Sequence, residues 1–222
     1  MNEELRRSAA HILVDDIESP ELSDDAAHHV LRVLRVGEHE TVTVTDGHGR
    51  WRACHIVDAT LRAIGDVVVV DRNQNPSTIA VAVPKQDRPE WLVQKATELG
   101  IDRIVFLHAE RSIVRWDGDR GPRHVARLSR VAAVALMQSR RVWLPVIAGP
   151  VPASDVLPGG LAAEPGGRAV TPSDRLIAIG PEGGWTPGEL ALAQDRVGLG
   201  DAVLRVETAA LVACVEMRRR ND

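Results

Sequence analysis

The sequence predicts a two-domain α/β protein: a small barrel-like β domain over residues 1–73, then an α/β domain over 74–222 with a mostly parallel sheet. Three observations carry this. Short runs of alternating apolar residues crowd the first seventy positions, with one helical stripe among them. The polar, proline-containing segment DRNQNPS, Asp71 to Ser77, then interrupts the chain. Beyond it strands and helices alternate, as in parallel sheets joined by helical crossovers.

In the first part, Ala10–Val14, Thr41–Asp46, Trp51–Val57 and Val67–Val70 read as strands, with a turn at Asp46-Gly47-His48-Gly49. The stretch SDDAAHHVLRVLRV opens on a Ser23 or Asp24 cap, and Ala27, Val30, Leu31 and Leu34 form its apolar stripe. In the second part, Thr78–Val83 is a continuous apolar strand. Pro89 opens a helix that Gly100 stops after Leu99. Ile101–His108 is the next strand, and Arg123–Gln138 a helix with Val125, Leu128, Ala132 and Ala135 on one side. Arg175–Gly180 is a strand. A helix follows whose Thr186 and Glu189 have capping-box spacing. Val203-Leu204 reads as a short strand and Thr208–Arg219 as the last helix. Gly149–Pro172 is rich in Gly, Pro and Ala, and only Leu161–Ala163 reads as a strand there.

A hydrophobic fraction of 44% with mixed charges indicates a folded chain. No apolar run approaches the roughly 20 residues that span a bilayer, and MNEELRR is unlike a signal peptide. Cys54 and Cys214, far apart, define neither a disulfide framework nor a metal knuckle, so a cytoplasmic location is expected. The net charge of -4 conceals a division: residues 1–73 hold 8 basic against 14 acidic side chains, and residues 84–145 hold 12 against 7. A basic middle can meet a polyanion despite the acidic total, although solvated helix faces have the same composition.

IGPEGGWTPGEL, from Ile179 to Leu190, concentrates turn residues between a strand and a helix, where ligands bind in open α/β sheets. Gly180, Gly183 and Gly184 allow close backbone approach. The segment is neither a dinucleotide fingerprint nor a P-loop, and taken alone it equally fits a tight turn. GDAVLRVET, Gly200 to Thr208, offers a second such connection, with Arg205 and Glu207 as ligand contacts or as surface ion-pair partners. Lys85, Arg88 and Lys95 lie near the start of this half, where Lys95 and Glu98 have the spacing of an ion pair. Adjacent His28 and His29 cannot face one way from a helix, so no metal site is expected, and no Ser-His-Asp arrangement is legible.

Together, HHVLRVLRVGEHETVTVTDGHG (His28–Gly49), the block from Lys85 to Arg111 with its QKATELG, and the pair IGPEGG and VLRVETA resemble the RsmE family. These are ribosomal RNA small-subunit methyltransferases of the SPOUT superfamily, and the resemblance spans nearly the whole chain. It implies a PUA-like β-barrel over 1–73 and a SPOUT domain over 74–222 whose C-terminal part is tied in a deep trefoil knot. It also implies a homodimer, S-adenosylmethionine as cofactor, and methylation at N3 of a uridine in 16S rRNA or the small ribosomal subunit. Gly180, Glu182, Gly183 and Gly184 match one cofactor loop, with Ile179 before it. Leu204, Arg205, Glu207 and Thr208 match a second, flanked by Leu199, Val203 and Ala209, and Leu161, Ala162 and Glu164 fall on a cofactor-lining strand. Arg205, Glu207 and Arg111 are the implied catalytic residues, with the identity of a general base open between Glu207 and Glu182. Implied RNA contacts are Arg32, Arg35, Lys85, Arg88, Lys95, Arg111, Arg115, Arg123, Arg127 and Arg141. Met137 departs from the family's glutamate before Gln138, and Val206 from its threonine. The other readings are a SPOUT enzyme acting on a different nucleotide or a ribose 2'-OH, and a non-catalytic RNA-binding assembly protein.

Overall fold

The computed structural model describes residues 2–37 and 39–219. Their packing forms two units: residues up to 73 together with 133–144, and residues 74–132 together with those from 145 onward.

In the first unit, α1 (Glu3–Arg7) is capped by Asn2, whose side chain accepts from the Glu4 N–H at 2.8 Å. β1 (His11–Leu13) leads to α2 (Asp24–Ala27), capped by Ser23 as its sequence requires. The expected helix does not continue in α form. It widens into a π-helical turn over His28–Val33, closed by Leu34 N donating to the His29 carbonyl at 2.9 Å, and His28 and His29 are exposed. β2 (Val42–Thr45), β3 (Arg50–Val57), β4 (Thr60–Ala63) and β5 (Val68–Val69) complete a mixed sheet. β1 pairs parallel with β2, and β3 pairs antiparallel with β2, β4 and β5. The β2–β3 turn is held by Asp46 Oδ1, which accepts from His48 N and Arg50 N at 2.8 and 3.1 Å.

Residues 133–144, which the sequence reading kept in the second domain, are fastened within the first unit. Val142 packs in a cluster with Leu5 and Trp51, and Arg140 Nη2 donates to the Ser8 carbonyl at 2.7 Å. Buried His11 donates from Nε2 to the Arg141 carbonyl and accepts at Nδ1 from the Thr43 hydroxyl, each at 2.8 Å. Burial pushes its pKa down to about 4, so it is neutral in this network.

The second unit contains β6 (Thr78–Ala82), α3 (Arg88–Leu99), β7 (Arg103–His108) and α4 (Arg120–Gln138), which enters the first unit's residues after Ala132. β8 (Val146–Pro152), α5 (Ala153–Val156), β9 (Leu161–Ala169) and β10 (Leu176–Ile179) follow. α6 (Pro187–Leu192), β11 (Asp195–Gly198) and α7 (Val206–Arg218) end it. The six strands are all parallel in the order β11-β9-β10-β6-β7-β8. Alternate residues of β6 enter two cores: Ile79 and Val81 pack with Phe106, Leu92 and Cys214, while Ala80 packs with Leu107, Ala162, Ala178 and Trp185. A sheet covered on both faces explains the unbroken apolar run at 78–83. Gly100 ends α3 at φ 90°.

The strand expected at Val203-Leu204 is absent. The last strand is β11, seven residues earlier at the sheet edge, with Asp195 and Arg196 exposed, and so without the apolar signal of a central strand. Arg168 of β9 secures it, donating from Nε to Asp195 and from both terminal nitrogens to Asp174, all at 2.9 Å. No described helix is long and apolar enough to cross a membrane. Burial pushes the Cys54 thiol up to about 11 and Cys214 to about 12, which leaves neither suited to act as a nucleophile at neutral pH.

Candidate active site

β9, β10 and β11 lie side by side in one parallel sheet, and the loops leaving β10 and β11 meet part of β9 around a cavity of about 200 Å³. Ala163, Glu164 and Pro165 line it from β9; Ile179, Gly180, Pro181, Glu182, Gly184 and Trp185 from the β10 loop; Leu199, Gly200, Ala202, Val203 and Leu204 from the β11 loop; and Val206 and Ala209 from α7. The walls are therefore aliphatic surface and bare backbone, with two carboxylates, Glu164 and Glu182. An added Cβ at Gly184 or Gly200 would meet no atom within 4 Å, so backbone at both borders open space.

The β10 loop is fixed from several sides. Gly184 N donates to the Pro181 carbonyl at 2.8 Å and Gly184 takes φ 68°, a conformation suited to glycine. Trp185 is buried, and its Nε1 donates to the Ala163 carbonyl at 3.1 Å. Its ring lies 3.0–3.1 Å from where a Cβ on Gly180 would stand, so Gly180 is required by packing. Arg111, in the connection after β7, donates from Nη1 to the Gly183 carbonyl at 3.1 Å and the Trp185 carbonyl at 3.2 Å. Glu189 closes the expected capping box with Thr186, and its other oxygen accepts from Glu110 N at 2.9 Å.

Of the residues expected at a cofactor, Glu164, Ile179, Gly180, Glu182, Gly184, Leu199, Val203, Leu204 and Ala209 line the cavity. Leu161, Ala162, Gly183, Arg205 and Thr208 do not. Leu161 and Ala162 are buried in the two cores, Gly183 packs against Arg111, and Arg205 and Thr208 are exposed. Sequence reasoning missed Trp185, Pro165 and Val206 as lining residues, and missed Glu189 as a tie between loops. The capping-box spacing was the only signal that could have pointed to it.

The three expected catalytic residues differ in their commitments. Arg205 is the N-cap residue of α7, between cavity-lining Leu204 and Val206, and its guanidinium has no partner among the described residues. Glu207 is buried, outside the lining, and paired with Arg88 Nε at 3.4 Å, with Oε2 lacking a hydrogen bond. Arg111 is bonded to the β10 loop. Among the expected RNA contacts, Lys95 is bound to Glu98 at 2.8 Å and Arg127 to Glu90 of α3. Arg115 and Arg123 are exposed, and Lys85 is half-buried. In the first unit Arg32 and Arg35 are exposed and Arg141 is half-buried. Met137 and Gln138 end α4 within the first unit. Nearby, His108 Nε2 accepts from Trp116 N at 3.1 Å; burial, and then Arg115, lower its pKa and keep it the neutral acceptor that this bond needs. The described residues contain no group of three or more His, Cys, Asp or Glu able to hold a metal.

Residues 71–218 match the RNA methyltransferase domain family, and residues 22–64 match the RNA methyltransferase PUA domain. Ribosomal RNA small subunit methyltransferase E of Mycobacterium bovis is 30% identical over 214 residues, covering 85% of this chain and 82% of that protein. The Bacillus subtilis protein of the same name is 28% identical over 221 residues, covering 86% of each. The crystal structure of Neisseria gonorrhoeae ribosomal RNA small subunit methyltransferase E bound to S-adenosyl methionine superimposes with a TM-score of 0.78. Its identity is 26%, over 94% of this chain and 96% of that one.

Proposed function

This chain belongs to the ribosomal RNA small-subunit methyltransferase E family, and from that premise we propose that it transfers a methyl group from S-adenosylmethionine to N3 of a uridine in 16S rRNA. The observation that carries the reading is the cavity between the GPEGG and LRVET loops. Its chemistry suits that cofactor. Ile179, Leu199, Leu204 and Ala209 offer apolar surface to an adenine ring, and bare backbone at Gly184 and Gly200 permits close approach. Glu164 and Glu182 can face a cationic ligand. Bound there, S-adenosylmethionine supplies an electrophilic methyl group.

The chain's own residues have the remaining work. The uracil N3 must lose its proton as the methyl arrives, and negative charge grows on O2 and O4. Arg205 never acts as a base at neutral pH but has uncommitted donors for those oxygens. The carboxylates on the cavity wall, Glu164 and Glu182, are the groups able to accept the proton. Glu207 is held by Arg88 instead. Alignment of N3 with the methyl group then contributes much of the rate.

Arg120, Arg123 and Arg130 support RNA as the substrate. They recur at helical spacing on the exposed side of α4, which has no acidic residue. Cations in the first turns oppose the helix dipole, so helix stability does not account for them; a phosphate backbone does. The reading includes a homodimer whose second copy covers the open side of the cavity at Val203, a knotted C-terminal part, and a cytoplasmic location. Mass spectrometry of 16S rRNA nucleosides from cells with and without the gene tests it. N3-methyluridine is expected to disappear on deletion, and its persistence would defeat the substrate assignment.

A further inference from the structure

We propose that Arg111 and Glu189 form a latch that sets the shape of the donor wall, so that Arg111 is a positioning residue and not a catalytic one. The proposal rests on the cofactor reading above. Three facts carry it. Arg111 Nη1 donates to two carbonyls of the β10 loop, those of Gly183 and Trp185, at 3.1 and 3.2 Å. Glu189, only 4% exposed, uses one oxygen for Thr186 N and the other for Glu110 N, both at 2.9 Å. Neither Arg111 nor Glu189 lines the cavity, whereas Gly184 and Trp185, bracketed by these bonds, do.

The physical consequence is a two-way tie between consecutive residues and one loop. Glu110 donates its backbone N–H to the base of α6, and Arg111 donates its side chain to the carbonyls just before it. The turn supplying them is itself rigid: Ser112 Oγ accepts from Ala109 N, and Ser112 N donates to the Ala109 carbonyl, each at 3.0 Å. Gly183 and Gly184 have no side chains with which to hold their own conformation, so the bonds from β7's end fix the loop together with those of Gly184 N to Pro181 and the Trp185 indole to Ala163. A carboxylate is needed at position 189 because both of its partners are N–H donors. A glutamine there would present an NH₂ group to one of them.

The test measures the free protein as well as turnover. Arg111→Ala and Glu189→Gln are each compared with wild type for S-adenosylmethionine affinity by calorimetry, hydrogen exchange of the 183–186 amides without cofactor, and steady-state kinetics. The latch predicts dissociation constants weakened about tenfold and faster exchange confined to this loop. It predicts a KM for the cofactor raised in step, with kcat at saturation within about threefold of wild type. Arg111→Lys, which keeps a single, shorter-reaching donor nitrogen, should recover part of the affinity. Unchanged affinity and exchange with a collapsed kcat would overturn the proposal and return Arg111 to the chemistry. Accelerated exchange throughout the unit with a large fall in Tm would also overturn it, by making the residues general supports. Wild-type protein that binds no S-adenosylmethionine would defeat the cofactor reading, while the exchange measurement still judges the latch.

Discussion

The two walls of the cavity are built in opposite ways. The β10 loop, 180–186, is tied by Arg111, by Glu189 and by the Trp185 indole to the Ala163 carbonyl. The β11 loop has no such ties: residues 200–204 make no hydrogen bond among the described residues, and Val203 is 98% exposed. One wall is preorganised by bonds to its backbone, so substitutions there act through geometry. The other is anchored at its ends, at β11 and α7, so substitutions there act through what each side chain itself meets. Gly180 on the tied wall is hemmed in by Trp185, whereas Gly200 on the other wall, like Gly184, faces open space.

The largest expected effect lies at the end of the free wall. Arg205→Ala removes an exposed guanidinium with no intramolecular partner among the described residues, so folding stability should stay within about 0.5 kcal/mol of wild type. Loss of a donor to the developing oxyanion should lower kcat by about 10²-fold or more. Single-turnover kinetics beside thermal melts check this. Parallel losses of Tm and activity would mean that the free wall leans on Arg205, and the contrast between the walls would fail.

On the tied wall, Gly180→Ala places a methyl 3.0–3.1 Å from the Trp185 ring. The ring cannot move without loosening its bond to Ala163, so an overpacking cost of about 1–3 kcal/mol is expected, with cofactor affinity reduced about tenfold. Gly200→Ala is the matched substitution on the free wall. It meets no atom within 4 Å but must hold φ 121°, so its cost comes from the backbone alone. Calorimetric titration of both variants separates the cases, and equal affinity losses would show that the walls respond alike.

Much of this was legible in the sequence because local rules and tertiary packing agree. The 78–83 strand, the Pro89-to-Gly100 helix and the Thr186–Glu189 capping box each carry their signal in a few adjacent residues. Failures came where the signal is not local. β11 has an exposed edge pattern, and β4 shows little apolar alternation, so neither reads as a strand. The helix after Ser23 has an α-like stripe, yet its hydrogen bonds skip five residues. The second partner of Glu189 is 79 residues away in sequence, and no spacing rule reaches it.

Acid should loosen the root of the free wall by a smaller amount. Asp174 is held below the ordinary carboxylate range chiefly by Arg168, and Asp195 first by the Arg196 N–H and then by Arg168. Both pKa values are depressed in the folded state. Their contribution is therefore present above the unfolded value near 4 and is lost as pH falls through the folded values. Exposure of Arg168 limits its size. Hydrogen exchange of the β9–β11 ladder, corrected for intrinsic rate, should be flat from neutrality to about pH 4.5 and accelerate below about pH 4. Arg168→Ala should shrink that step, leaving the part due to the Arg196 and Thr171 N–H groups, and a step unchanged in the variant would assign it elsewhere.

The smallest effect is expected at Val203. Its side chain is almost fully exposed in the single chain, so Val203→Ser should leave Tm within about 2 °C of wild type in dilute, monomeric protein. A second copy covering this rim would bury the valine, and the same substitution would then weaken dimerisation several-fold, an effect read by sedimentation across a concentration series. The two measurements divide the outcomes. A large Tm loss at low concentration would mean that Val203 packs within its own chain and that the free wall is not free. Unchanged Tm with unchanged self-association would keep the wall free while removing Val203 from the dimer contact. Unchanged Tm with weakened association would identify the untied wall as the side of the cavity completed by the partner subunit, and would explain why this loop has no internal hydrogen bonds of its own.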